Sequence, residues 1–187
     1  MELKVAYFEQ KGKENSEEVL RLARQRADEL GITSIVVAST VGDTAVRAVD
    51  VFQGMKVVVV THAAGFHEPN TQEFTAENRK AVEDKGGIVL TSAHAFGGIS
   101  RAIKNKFATV VTGDIIAQTL RIFGQGTKVV CEIALMAADS GLVRTDEDLI
   151  AVAGSGRGAD TAMVIRPACS HNFFELVVRE VLCKPRL

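Results

Sequence analysis

Ser39, Thr40, Gly42, Asp43 and Thr44 fall within six residues of one another, after the apolar run Ile35-Val36-Val37-Ala38 and before the helical spacing Ala45, Val46, Val49, Phe52. A strand delivered into a helix start leaves backbone N–H groups unpaired, with the positive end of the helix dipole behind them. That is anion chemistry, and phosphate suits it best. Gly42 permits close approach of a ligand to the main chain, and the hydroxyls of Ser39, Thr40 and Thr44 can donate to phosphate oxygens. The plainer reading is that Ser39 or Thr40 only caps the helix, as these residue types commonly do.

Similar chemistry recurs at three more strand ends, Thr61-His62, Thr91-Ser92 and Gly154-Ser155. In open α/β sheets ligands sit beyond the carboxyl ends of the strands, so the recurrence points to one ligand edge. His62, His67 and His94 lie in loops expected at that edge, and His62 and His94 are the candidates for acid–base work. Phe66, Phe96 and Phe123 border glycines, where an aromatic either stacks on a flat ring or is buried. The cluster Gly154-Ser155-Gly156-Arg157-Gly158 lacks the following helix that a dinucleotide fingerprint needs. It is either a mobile hairpin loop or a flap over a ligand, with Arg157 for a phosphate or ring and Asp160 for a hydroxyl or ring edge. Ala153 stands where a nucleophile elbow needs glycine, so Ser155 is no hydrolase serine. The spacing of His62 and His67 supports no metal site.

Elements able to position these residues follow from periodicity. A helix starts at Asn15 or Ser16, carries Val19, Leu20, Ala23, Ala27 and Leu30 on one side, and ends at Gly31. Apolar strands are expected at 35–38, 56–61, 87–91 and 149–153, and a β-branched one at 161–166 before Pro167. Helices are expected at 45–52, within Asn70–Lys85, at Ile99–Phe107 with Arg101, Lys104 and Lys106 as a solvated face, at 112–123 before Gly124, and from Thr127 to Gly141. Met1–Val5 reads as an early strand or structured start. The tail Phe173–Leu182 reads as an apolar edge strand, and such an edge suits pairing with a second copy, a homodimer. Strand–helix alternation makes this an α/β chain: a three-layer sandwich with a mainly parallel central sheet and helices on both faces.

The chain's 187 residues suit a single domain, 1–187, and 47% apolar with 24% charged residues is ordinary globular composition. A net charge of −1 without a basic run excludes a nucleic-acid binder of the usual kind. No apolar run is long enough to cross a membrane, and no signal-peptide layout opens the sequence. Cys131, Cys169 and Cys183, odd in number and far apart, read as reduced thiols. The expected location is cytoplasmic.

In their order along the chain, these motifs resemble the C-terminal α/β domain of pyruvate kinase from about Ser16 to Pro167. Ile35-Val36-Val37-Ala38-Ser39-Thr40-Val41-Gly42-Asp43-Thr44-Ala45 resembles the strand–turn–helix in which pyruvate kinases hold a phosphate of their sugar-bisphosphate activator. Val129 through Ile165 resembles that domain's last helix, strand, glycine loop and returning strand. Thr91-Ser92-Ala93-His94-Ala95-Phe96 and Leu120-Arg121-Ile122-Phe123-Gly124-Gln125-Gly126 are similar to motifs of small stand-alone archaeal and bacterial relatives, of unassigned function, associated with bound flavin mononucleotide (FMN). The segment 92–126 and the tail 168–187 are extra to pyruvate kinase, and no barrel domain carries kinase chemistry, so phosphoryl transfer to pyruvate is not expected. The resemblance implies an FMN-binding protein with its phosphate at 39–44 and Thr61, His62, Phe66, Thr91, His94, Phe96, Gly154, Gly156, Arg157 and Asp160 as further contacts. The alternatives are a flavin-dependent oxidoreductase and a non-catalytic sensor of a phosphorylated metabolite.

Overall fold

β-branched runs with neither face polar form the middle of a seven-stranded sheet in the computed structural model, which describes residues 2–186. In chain order the elements are β1 (Ala6–Phe8), α1 (Ser16–Leu30), β2 (Ser34–Ala38), α2 (Asp43–Val51), β3 (Lys56–Val60), α3 (Ala76–Glu83) and β4 (Ile88–Leu90). They continue with α4 (Gly98–Phe107), α5 (Thr112–Arg121), α6 (Gln125–Asp139), β5 (Leu149–Ala153), β6 (Thr161–Arg166) and β7 (Val177–Pro185). The strand order is β1-β7-β6-β5-β2-β3-β4. Strands β5, β2, β3 and β4 are mutually parallel, so their carboxyl ends reach one edge, while β6 runs antiparallel to β5 and β7.

Alternation along the strands divides the interior into two layers. Ile35, Val37, Val57 and Val59 pack with the α1 stripe Val19, Leu20, Ala23 and Ala27 and with Ala45, Ala48 and Val49 of α2. Val36, Val58, Ala151 and Met163 face α6 through Val130, Ile133, Ala134 and Ala137. Each fully buried Val or Leu contributes about 1.5–3 kcal/mol relative to exposure. Twelve of the fifteen α6 residues are buried, because Ala117 of α5, with Phe96, covers Leu135 on the side away from the sheet.

The sequence expectations differ from the structure at four places. α3 begins at Ala76 rather than near Asn70, because Asn70 is left-handed (φ 63°) and Thr75 is the cap, its hydroxyl accepting from Asn78 N–H at 3.1 Å. α6 begins at Gln125, two residues before Thr127. At the amino end the strand is Ala6–Phe8; Leu3 is half exposed and Met1 lies outside the described residues, as does Leu187 of the tail. The tail strand is Val177–Pro185 and is an edge over only part of its length: β1 joins it at Cys183–Pro185, on the side away from β6. Along Val177–Leu182 the backbone pairs with β6 alone, so that stretch keeps the open side of an edge strand.

Candidate functional site

Beyond Ala38 the chain makes the turn that opens α2. Ser39 N–H donates to Val60 O at 3.1 Å, anchoring the turn on β3. Gly42 has φ 115°, and a Cβ there would overlap the Asn78 side chain, so only glycine suits both the conformation and the space. Asn78 Nδ2 and Thr75 N–H donate to Val41 O at 3.0 and 3.2 Å, so the start of α3 braces the turn. No side chain caps α2, and its first bond is Val46 N–H to Gly42 O at 2.9 Å. The amides of Asp43, Thr44 and Ala45 are therefore the orphan donors of a helix start. Ser39 and Thr44 are nearly buried, and among the described residues their hydroxyls have no protein hydrogen-bond partner.

These donors form one wall of a cleft of about 740 Å³ at the carboxyl edge of the sheet. Its rim carries Lys13 and Ser16 from the α1 start and Gly154, Gly156, Arg157 and Gly158 from the β5–β6 loop. Arg101 enters from α4, Arg121 from α5, and Gln125, Lys128 and Glu132 from the first half of α6. Six cationic side chains (Lys13, Arg47, Arg101, Arg121, Lys128, Arg157) face four acidic ones (Glu14, Glu17, Asp43, Glu132). Lys128 and Glu132 are a buried ion pair one helical turn apart, and Glu132 Oε1 also accepts from Phe96 N–H at 3.1 Å. Burial holds the Lys128 ammonium below its ordinary pKa, opposed by Glu132 and reinforced by Arg121 and Arg101.

At the same edge His62, Phe66, His94 and Arg101 form a layer of flat groups. The Phe66 and His94 rings are stacked at 5.0 Å and 18°, His62 lies 4.2 Å from Phe66, and the Arg101 guanidinium sits 4.5 Å over Phe66. His62 Nδ1 meets Glu73 at 2.6 Å; a carboxylate accepts, so that nitrogen carries the proton. Ala63 N–H donates to His94 Nε2 at 3.3 Å. Burial lowers the His94 pKa below 6.5, with His62, Lys128 and Arg101 adding to the effect and Glu132 opposing it. His94 is thus neutral at pH 7.

Of the residues singled out from sequence, Ser39, Thr40, Asp43, Thr44, Thr61, His62, Phe66, His94, Gly154, Gly156 and Arg157 all line this one cleft. Four do not. Gly42 packs on Asn78. Thr91 Oγ1 shares a hydrogen bond with Thr61 Oγ1 at 2.8 Å, between β3 and β4. Phe96 is buried with Ala117 and Leu135 and meets Phe173 edge-on at 5.7 Å, so its ring belongs to the interior. Asp160 is fully buried and accepts from Gly12 N–H (3.1 Å), Ser155 N–H (3.0 Å) and Thr161 Oγ1 (2.8 Å), which ties the glycine loop down. That loop is anchored a second time by Ala159 N–H donating to Ser16 Oγ at 2.9 Å. Arg101, read from sequence as part of a solvated face, reaches the cleft. Lys128 and Glu132 were missed, although two charges four residues apart in the otherwise apolar stretch Lys128–Ala138 are a readable signal. Among the described residues two groups of potential metal-ligand atoms lie close together, His62 with His67 and Glu73, and Asp139 with Cys169 and His171. In the first, His62 and Glu73 already satisfy each other directly.

Residues 17–165 match the family model described as pyruvate kinase, alpha/beta domain. Among solved structures the chain is similar to Cryptosporidium parvum pyruvate kinase in complex with ADP, at 12% identity over 82% of this chain and 24% of that one, with a TM-score of 0.42. A further structure of pyruvate kinase from the same organism aligns at 11% identity over 74% of this chain and 20% of that one, with a TM-score of 0.36. The chain thus spans about a quarter or less of the length of these kinases.

Proposed function

Because the chain belongs to the pyruvate kinase alpha/beta domain family, we propose that its cleft is a binding site for a phosphorylated small molecule, and that this molecule is FMN. The observation that carries the reading is the α2 start: orphan amides and unpartnered hydroxyls facing a cleft whose volume falls within the about 300–1,000 Å³ usual for small-molecule sites. The phosphate is held by the amides of Asp43, Thr44 and Ala45 and the hydroxyls of Ser39 and Thr44, with Arg47 and Arg157 supplying charge. The isoalloxazine ring is received by the His62–Phe66–His94–Arg101 layer, whose flat faces suit a planar heterocycle. Bound FMN would supply hydride and one-electron chemistry. The residues bind its phosphate, orient its ring and exclude water.

Titration of the protein into FMN tests this by quenching of flavin fluorescence, with riboflavin and ribose 5-phosphate run alongside. FMN is expected to bind at least about tenfold more tightly than riboflavin, since the phosphate cradle contributes upwards of about 1.4 kcal/mol. No FMN binding, or riboflavin binding equal to FMN, overturns the assignment. Binding of ribose 5-phosphate without any flavin would favour a sensor of phosphorylated metabolites.

One observation favours a second reading, a flavin-dependent oxidoreductase. Glu73 fixes the tautomer of His62 and leaves Nε2 available to accept a proton near the ring layer. Bleaching of the flavin absorbance by NADH or NADPH is then expected, and lost in His62→Phe, which keeps a flat ring but removes Nε2. An unchanged spectrum leaves FMN binding without the redox role.

A further inference from the structure

A ten-residue helix in water is marginal on its own, and α4 is such a helix: none of its residues is buried. Its sequence is nevertheless amphipathic, with Ile99, Ile103 and Phe107 four residues apart on one side and Arg101, Lys104 and Lys106 elsewhere. Ile99 is 80% exposed and Phe107 68%. The hairpin that α4 makes with α5 carries four further apolar residues, Val110, Ile115, Ile122 and Phe123, all more than half exposed. With aromatic side chains covering about 150–250 Å² each and aliphatic ones somewhat less, the seven residues present on the order of 700 Å². A monomer's largest apolar patch is about 300–600 Å², while a standard interface covers about 800 Å² per partner.

We infer that the α4–α5 hairpin is the interface between two copies of this chain. The area matches one half of a self-complementary contact. The four-residue spacing of Ile99, Ile103 and Phe107 is the ridge by which two identical helices interdigitate. A lipid surface fits less well: the chain's net charge is −1, and Lys104, one of three cations on α4, is neutralised by Asp114 across the hairpin at 3.2 Å. The partner's hairpin gives α4 the burial that its own chain does not. α4 carries Arg101 over Phe66, so pairing also fixes one wall of the cleft.

Sedimentation velocity across a dilution series tests the inference on the full chain. The wild type is expected at twice its 20.1 kDa mass, and Ile99→Glu/Phe107→Glu at the single-chain mass, with association weakened by at least about a hundredfold. Both residues are exposed in the single chain, so its circular dichroism is expected to hold. Should the variant fold poorly, hydrogen exchange of the wild type decides: α4 amides are expected to be protected at high concentration and to lose protection on dilution. A wild type of single-chain mass at every concentration, a variant that still pairs, or α4 protection independent of concentration overturns the inference. A single-chain wild type that pellets with phosphatidylserine-containing vesicles overturns it in favour of a membrane surface.

Discussion

Glu132→Gln isolates the charge of the buried pair on α6. The amide keeps an oxygen to accept the Phe96 N–H, which now donates to Glu132 Oε1 at 3.1 Å, so what is lost is the carboxylate facing Lys128. Removing one partner of a fully buried ion pair costs about 3–5 kcal/mol. The Lys128 side chain is 10% exposed and looks into the cleft, so water reaches it from one side, and a loss of about 2–3 kcal/mol is expected. The sign of its pH dependence follows from the direction of the Lys128 shift. Burial lowers the folded-state pKa below 10.5, so between the two values the unfolded chain binds more protons and stability rises with pH. Without Glu132, which raises that pKa, it falls further. The deficit of the variant is therefore full at neutral pH and shrinks as pH climbs toward 10.5. Urea unfolding of both proteins at neutral and alkaline pH measures it. Lys128→Met/Glu132→Leu, which removes both charges, is expected to recover most of the loss. A deficit below about 0.5 kcal/mol at neutral pH, or one that grows with pH, would refute the electrostatic account.

Gly42→Ala forces a Cβ into the left-handed region and against Asn78, and is expected to cost about 1–3 kcal/mol in urea unfolding and to weaken FMN binding. An unchanged midpoint would show that α3 does not brace the turn. His94, whose folded-state pKa burial pushes below 6.5, is expected to cost stability as pH falls from about 6.5 through its folded-state value, because there the unfolded chain binds the extra proton. Thermal melts of His94→Gln should show a shallower acid decline than wild type, and parallel declines would exclude His94 as the source.

The four parallel strands were legible because a buried strand needs no polar alternation: Ile35–Ala38 and Val57–Val60 can be little else. Gly31, left-handed at φ 66°, closes α1 where expected for the same local reason. What sequence could not convey was partnership. Nothing in Val177–Pro185 announces that β1 joins it at Cys183–Pro185, and nothing local distinguishes Phe66, which meets an arginine in the cleft, from Phe96, which meets Phe173 and Leu135 inside. The turn at 39–44 was readable because its donors belong to the backbone of one short segment. Lys128, Glu132 and Arg101 were harder, because which way a charged side chain points depends on helices packed from elsewhere.

The placement of β7 carries a consequence for how the molecule is made. Ala6, Tyr7 and Phe8 pair with Cys183, Lys184 and Pro185, so the first strand finds its neighbour only after everything from β2 to β6 has been made. Contacts between such distant segments close late and slowly. The nascent chain must hold β1 in waiting while β2 to β4 assemble, and deleting Val177–Pro185 would leave the first strand without its partner.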